Sequence, residues 1–255
     1  MLVLGIAAIQ PSALAHVAPS VDTNNQYLKL APMRDRVRLA YTVYIGEIPG
    51  AQARGRMDEN RDGRVEDREA RAYGDRLAEA VKSALAITVD GAAVTVEWAE
   101  IHVGMGTPAT NAGSFSVDLI AWLCGDPDRL EHELVLFNRY RLQSAGETEL
   151  RVQHSPGITV TRSSLGPNRA KPDLELLWHG SSEPLQSLGY YLDYAVDPQA
   201  AMAPPDAHCG AGGAAPPAAT RIRITAGLLG AAAIALVVAL VLRARKRASV
   251  TGPRS

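Results

Sequence analysis

The chain has 255 residues, which is enough for one full domain or two small ones. Its formal net charge of −1 at pH 7 excludes a broadly basic surface, so no nucleic-acid partner is expected. Its two cysteines, Cys124 and Cys209, lack the CxxC spacing that a thiolate zinc site requires. They either pair with each other outside the cytoplasm or remain free thiols, and the sequence leaves both alternatives open.

The first fifteen residues form an apolar stretch that ends in a small-x-small site, Ala13-Leu14-Ala15. This pattern predicts a secretory signal peptide at residues 1–15, although the usual basic n-region is missing. The alternative is a buried N-terminal strand. Cleavage after Ala15 would make His16 the mature N-terminus, and its amine and imidazole together can chelate a transition metal. His16 is therefore a possible second metal ligand, weighed against an ordinary surface histidine.

Strand-like alternation follows in the stretch QYLKLAPMRDRVRLAYTVYIGEI, with a predicted turn from Pro32 to Asp35. A helical pattern comes later, because apolar residues recur every three or four positions from Ala70 to Leu85. The stretch ITVDGAAVTVEW then predicts a hairpin that turns at Asp90-Gly91. The further predicted strands are SFSVDLIAWL, LEHELVLFNRYRL, ETELRVQHS, GITVTRSSL, DLELLWHG and YYLDYAV. Residues 16–196 are therefore predicted to form an α+β module, an antiparallel β-sandwich with one long helix.

Between the first strands and the helix lies the acidic stretch DENRDGRVEDRE, residues 58–69. Oxygen donors fall at positions one, three, five, seven, nine and twelve of this stretch, which is the spacing of a twelve-residue calcium loop. Glycine occupies the sixth position, where such a loop needs a positive φ. The predicted ligands are Asp58, Asn60, Asp62, the backbone carbonyl of Arg64, Glu66 and a bidentate Glu69.

This stretch resembles the EF-hand calcium loop, and Val65 at the eighth position would tether it to the core. The resemblance implies calcium as cofactor, in a structural site with an affinity on the order of 10⁻⁴ to 10⁻³ M. The entering helix is expected to be short at best, because EIPGAQARGRM contains Pro49, Gly50 and Gly55. No second loop is present to pair with the first. The alternative is a solvated acidic turn that binds no metal.

The C-terminal region predicts a membrane anchor. Residues 197–221 are rich in proline, alanine and glycine and are expected to form a stalk. The uncharged run from Ile224 to Leu242 is just long enough to cross a bilayer, so we assign a single transmembrane helix to residues 222–242. The alternative is a buried soluble helix. The basic tail, residues 243–255, is then expected in the cytoplasm and residues 16 to about 220 outside it.

Catalytic motifs are not apparent. HELVL, which begins at His132, lacks the second histidine of the zinc motif HExxH and falls in a strand pattern, so it is rejected as a zinc site. Neither a GxSxG motif nor a phosphate-binding glycine loop is present, so an enzyme is not expected.

A second resemblance covers roughly the first half of the chain. The segment looks like the extracytoplasmic N-terminal module of nickel/cobalt-transporter-like proteins. The matching positions are His16, Asn25, Tyr27, Asp35 to Leu39, Glu47 to Pro49, Asp62 to Arg64 and Val89 to Gly91. The chain departs from that family because it has one predicted membrane helix and no HxxxxDH motif. The resemblance implies a detached, anchored version of the accessory module.

These features predict a non-catalytic module, anchored in the cell membrane by a single pass and held outside the cytoplasm. Its calcium loop would have a structural role, and the module would bind a protein partner or another component of the envelope. The alternative function is a transition-metal-binding accessory of a nickel, cobalt or copper transport system, with His16 as a ligand and a metal transporter as its partner.

Overall fold

The computed structural model describes residues 21–167, residues 176–202 and residue 209. The predicted signal peptide, His16, most of the stalk, the transmembrane helix at 222–242 and the basic tail all lie outside these residues. Among the residues described, no helix is both long and apolar enough to cross a membrane.

Two β-sheets make up nearly half of the described chain. The strands are β1 (Asn24–Pro32), β2 (Arg36–Ile45), β3 (Leu85–Val89), β4 (Ala92–Val94), β5 (Trp98–Gly104), β6 (Phe115–Cys124), β7 (Glu131–Asn138), β8 (Ala145–Val152), β9 (Ile158–Leu165), β10 (Leu177–Gly180) and β11 (Tyr190–Val196). One sheet has six strands in the order β10-β8-β1-β2-β6-β5, and the other has five in the order β4-β3-β7-β11-β9. The predicted β-rich α+β class is confirmed.

The core lies between the two sheets. Alternate residues of β2, β6, β7 and β11 are buried, as expected when one face of each strand packs inward. The buried side chains of both sheets belong to a single apolar cluster. Tyr41 of β2 also reaches Asn138 of β7 within this core, and both residues hydrogen-bond to Gln26 of β1. This polar network is buried and links the two sheets.

One strand pair departs from the antiparallel sandwich that the sequence predicts. Strand β8 pairs with β1 in parallel, with Leu28 opposite Leu150. The chain leaves β7 in the five-stranded sheet and enters β8 in the six-stranded sheet, so β8 arrives beside β1 by a crossover instead of a hairpin. The remaining strand pairs in the described residues are antiparallel.

Three helices lie in the described chain: α1 (Glu47–Met57), α2 (Asp67–Ala84) and α3 (Glu183–Ser187). The expectation of a short or missing helix before the acidic loop was wrong, because α1 has eleven residues. Its Gly50 lies against a neighbouring segment, where a Cβ atom would come within 2.5 Å of the carbonyl oxygen of Gly113. Close packing therefore accounts for the glycine and offsets its poor helix propensity. The long helix predicted after the loop is confirmed as α2.

The hairpin between β3 and β4 turns where the sequence predicts. Asp90 and Gly91 both have positive φ angles, 54° and 78°, as a two-residue type I′ turn requires. Strand β5 was not predicted. It lies at the edge of the six-stranded sheet, none of its residues is fully buried, and its pairing with β6 shifts register between Trp98 and Glu100.

A disulfide bond joins Cys124, at the end of β6, to Cys209. The first residues of the predicted stalk also contact the module, since Arg34 donates hydrogen bonds to the carbonyl oxygens of Pro198 and Ala200. The amide of Asp197 donates to the carbonyl of Gly157. Residues 197–200 and residue 209 are therefore held against the module.

Candidate metal-binding loop

The acidic loop, residues 58–69, connects the end of α1 to the first turn of α2. Met57 precedes it and is buried, and Val65 within it is only 3% exposed and belongs to the apolar core. Gly63 has a φ of 84°, in agreement with the turn predicted at the sixth position. The loop is therefore fixed at both ends and in its middle while most of its polar residues face solvent.

Asp58, Asn60 and Asp62 direct their side chains towards the loop's own backbone. The Asp58 carboxylate accepts hydrogen bonds from the amides of Asp62 (3.1 Å) and Gly63 (2.9 Å). Asn60 accepts a second bond from the Asp62 amide at 3.0 Å. The Asp62 carboxylate accepts from the Arg64 amide at 2.9 Å and from the Asn60 side-chain amide at 3.1 Å. These three side chains therefore line the inside of one tight turn.

Glu69 spans the two ends of the loop. One of its carboxylate oxygens accepts the amide of Glu59 at 2.8 Å, and the other accepts the amide of Glu66 at 2.9 Å. The residue is 3% exposed. The hydrogen bond from the Glu66 amide, followed by those from the other loop amides, holds the pKa of Glu69 below its ordinary value. Glu69 is therefore held as a carboxylate, the form that ligates a hard cation.

The remaining predicted donors are the Arg64 carbonyl and Glu66. Arg64 forms an isolated antiparallel bridge with Ala109, in which the Val65 amide donates to Pro108 and the Thr110 amide donates to Gly63. In such a pair the hydrogen bonds flank the two central residues, whose own N–H and C=O groups point away from the partner. The Arg64 carbonyl therefore lies on the inner side of the loop. Glu66 is exposed at the N-cap of α2.

The segment that pairs with the loop is organised by Arg54 of α1. We call this segment, residues 105–114, the cradle segment. The guanidinium of Arg54 donates to five of its backbone carbonyls, those of Met105, Thr107, Ala109, Gly113 and Ser114. Arg54 is 0% exposed and stacks over the ring of Phe115. The sequence did not point to Arg54, because its segment was expected to be a short helix at best and an arginine there is usually solvent-exposed.

The donor set fits a hard divalent cation in chemistry, since all six predicted ligands are oxygen atoms. A carboxylate oxygen has two acceptor positions. Each oxygen of Asp58 accepts one backbone amide, and the Glu69 carboxylate accepts the amides of Glu59, Glu66 and Asn60, so both carboxylates keep further capacity. Among the described residues, no three histidine, cysteine, aspartate or glutamate side chains converge on one point as metal ligands would. Two of the six predicted donors, Asn60 and the Arg64 carbonyl, are of other types.

An open groove with a volume of about 890 Å³ adjoins the loop. Residues 64–67 and the start of α2 form one wall, and residues 101–108 of β5 and the cradle segment form the other. The shape of the groove therefore depends on how the loop and the cradle segment are held together.

His132, which the sequence analysis rejected as a zinc ligand, lies in strand β7 and is buried. Its Nδ1 lies 2.9 Å from the carboxylate of Asp90, and its ring stacks on Tyr194. Burial raises the pKa of Asp90, but the hydrogen bonds from His132 and from the Glu133 amide lower it below its ordinary value. This pair fixes the Asp90-Gly91 turn to β7 and so has a structural explanation.

Neither a protein-family model nor a curated protein matches this chain significantly. The resemblances to the EF-hand loop and to the nickel/cobalt-transporter-like module therefore stay predictions.

Proposed function

We propose that this protein is a non-catalytic, membrane-anchored module outside the cytoplasm, and that its acidic loop binds calcium to stabilise the module for interaction with a partner in the envelope. The observation that carries the calcium site is Glu69, whose nearly buried carboxylate joins the start of the loop to its end. A cation bound between this carboxylate, Asp58 and the Arg64 carbonyl would neutralise the charge gathered there and brace the junction of α1 and α2.

The calcium site is tested by titration calorimetry and thermal unfolding of the full chain. With a dissociation constant on the order of 10⁻⁴ to 10⁻³ M, about 5 mM calcium should stabilise the fold by roughly 1–2 kcal/mol. For a domain of this size that corresponds to a rise in Tm of about 2–8 °C. The absence of both a heat of binding and a shift in Tm would refute the proposal.

Two variants make the test specific to the predicted ligands. Glu69→Gln removes the carboxylate that spans the loop and should abolish the calcium response. Glu59→Gln removes an exposed carboxylate at the second position, which is not a predicted ligand, and should leave the response nearly unchanged. An equal loss of calcium binding in the two variants would show that the affinity depends on the net charge of the loop and not on this ligand set.

The location outside the cytoplasm is supported by the disulfide between Cys124 and Cys209, because structural disulfides persist in oxidising compartments. The anchor is supported by the uncharged run from Ile224 to Leu242. The proposed anchor at residues 222–242 predicts that the protein stays in the membrane pellet after alkaline carbonate extraction. A chain truncated before residue 222 should move to the supernatant. Release of the full chain by carbonate would contradict the anchor.

The transition-metal alternative is distinguished by the same calorimetry with nickel and copper. Tight binding that is lost in His16→Ala, in protein processed after Ala15, would favour the accessory of a metal transport system. Calcium binding without a nickel or copper response would favour the structural calcium site.

A further inference from the structure

We infer that the cradle segment, residues 105–114, takes the place of a second calcium loop, and that Arg54 positions it so that calcium binding and cradle order stabilise each other. This inference rests on the proposed calcium site and assigns it a positioning residue and a means of regulation.

Three hydrogen bonds join the acidic loop to the cradle segment. The Val65 amide donates to the Pro108 carbonyl at 2.7 Å, and the Gly63 carbonyl accepts two bonds at 3.1 Å from Thr110, one from its amide and one from its hydroxyl. These bonds flank the part of the loop that carries the Arg64 carbonyl. They hold Gly63 in the positive-φ turn and direct the Arg64 carbonyl to the inner side of the loop.

Arg54 attaches the cradle segment to α1, whose C-cap is Asp58, the first predicted ligand. Arg54 lies one turn before Asp58, and the Asp58 amide donates to the Arg54 carbonyl at 3.1 Å. The Arg54 guanidinium is buried and satisfied by five carbonyls of the cradle segment, two of them within 2.6 Å. Gly50, four residues earlier on the same helix, allows α1 to lie directly against Gly113.

These contacts connect both halves of the acidic loop through the cradle segment. Asp58 is connected to the cradle segment through Arg54 of α1, and the cradle segment is hydrogen-bonded to the loop again through Thr110 and Gly63. A cation that holds Asp58 against the Arg64 carbonyl therefore favours the arrangement that the cradle segment imposes. Because such coupling is reciprocal, calcium must stabilise the cradle bonds by the same factor by which those bonds strengthen calcium binding. Residues 105–108 of the cradle segment form part of one wall of the adjoining groove, so calcium also stabilises that part of the wall.

The test combines calorimetry and hydrogen exchange on the full chain. Thr110→Val removes only the hydroxyl bond to Gly63 and should weaken calcium binding roughly twofold to tenfold, the usual effect of one such bond. Thr110→Pro also removes the amide donor and should weaken it further. Thr159→Val, at an exposed position on β9, serves as the matched control and should not change the affinity. In the wild-type chain, calcium should slow the exchange of the Val65 and Thr110 amides more than that of amides in β9.

Arg54→Lys tests the positioning role while keeping the positive charge. A lysine cannot reproduce the planar fork that reaches five carbonyls, so calcium binding should weaken and exchange in the cradle segment should accelerate even without calcium. If the wild-type chain binds no calcium, both the proposed site and this coupling are overturned. If it binds calcium but Thr110→Val, Thr110→Pro and Arg54→Lys all keep the wild-type affinity, the proposed site stands and the coupling alone is refuted.

Discussion

The disulfide between Cys124 and Cys209 should contribute a large part of the stability of the module. Its two cysteines are separated by 85 residues, and the loop that they close contains strands β7 to β11. The loss of chain entropy in the unfolded state for a loop of this length corresponds to about 4.5 kcal/mol, as an upper value. For a chain of this size, that is a decrease in Tm of roughly 9–18 °C when the bond is absent.

The assay is urea unfolding of the full chain, followed by the fluorescence of its tryptophans, of which Trp178 is buried. Oxidised protein is compared with protein reduced by dithiothreitol and with a double variant, Cys124→Ser and Cys209→Ser. The reduced protein and the double variant should unfold at the same urea concentration, and dithiothreitol should not affect the variant. Oxidised and reduced proteins that differ by less than about 1 kcal/mol would refute the entropic argument.

Three further predictions concern single residues. Tyr41→Phe removes the hydroxyl that bonds Gln26 and Asn138 in the core, so urea unfolding should show a free energy of unfolding lower by about 1–3 kcal/mol. The control Tyr44→Phe, at a half-buried position, should change that free energy very little. Gly63→Ala should destabilise the chain by about 1–2 kcal/mol, because residue 63 has a positive φ. Gly55→Ala should instead stabilise it by about 0.5–1 kcal/mol, because position 55 lies inside α1 with open space around it and alanine is the better helix former. Thermal unfolding of both variants tests these opposite signs. The pKa of Glu69 is lower in the folded chain than its ordinary value of 4.5, so the ionised carboxylate stabilises the fold above pH 4.5, and this stability is lost as the pH falls through the folded pKa. In calcium-free protein, the free energy of unfolding should therefore decrease less steeply with falling pH in Glu69→Gln than in the wild type. An unchanged slope of that free energy against pH would contradict this.

The local features of the site could be predicted from sequence because each depends on neighbouring residues. The positive φ at Gly63, the buried Val65 and the turn at Asp90-Gly91 all follow from side-chain chemistry within a few positions. Helix α2 follows from its apolar periodicity. These elements need no information about distant parts of the chain.

The features that the sequence did not predict all depend on distant contacts. Helix α1 forms although its composition disfavours it, because Gly50 packs on Gly113 and Arg54 is anchored in the cradle segment. The role of Arg54 requires carbonyls about fifty residues away, for example that of Met105, from which it is separated by 51 residues. The parallel pairing of β8 with β1 has no local sequence pattern either, because strand order is decided by which edges remain free in the folded sheets.

The parallel pairing of β1 with β8 also constrains how the protein acquires its structure. Asn24 at the start of β1 bonds to the carbonyl of Gln143 across 119 residues of chain. The first strand therefore has no partner on one side until most of the polypeptide has been synthesised, and the high contact order predicts slow folding. During synthesis the six-stranded sheet therefore stays incomplete until β8 has emerged from the ribosome.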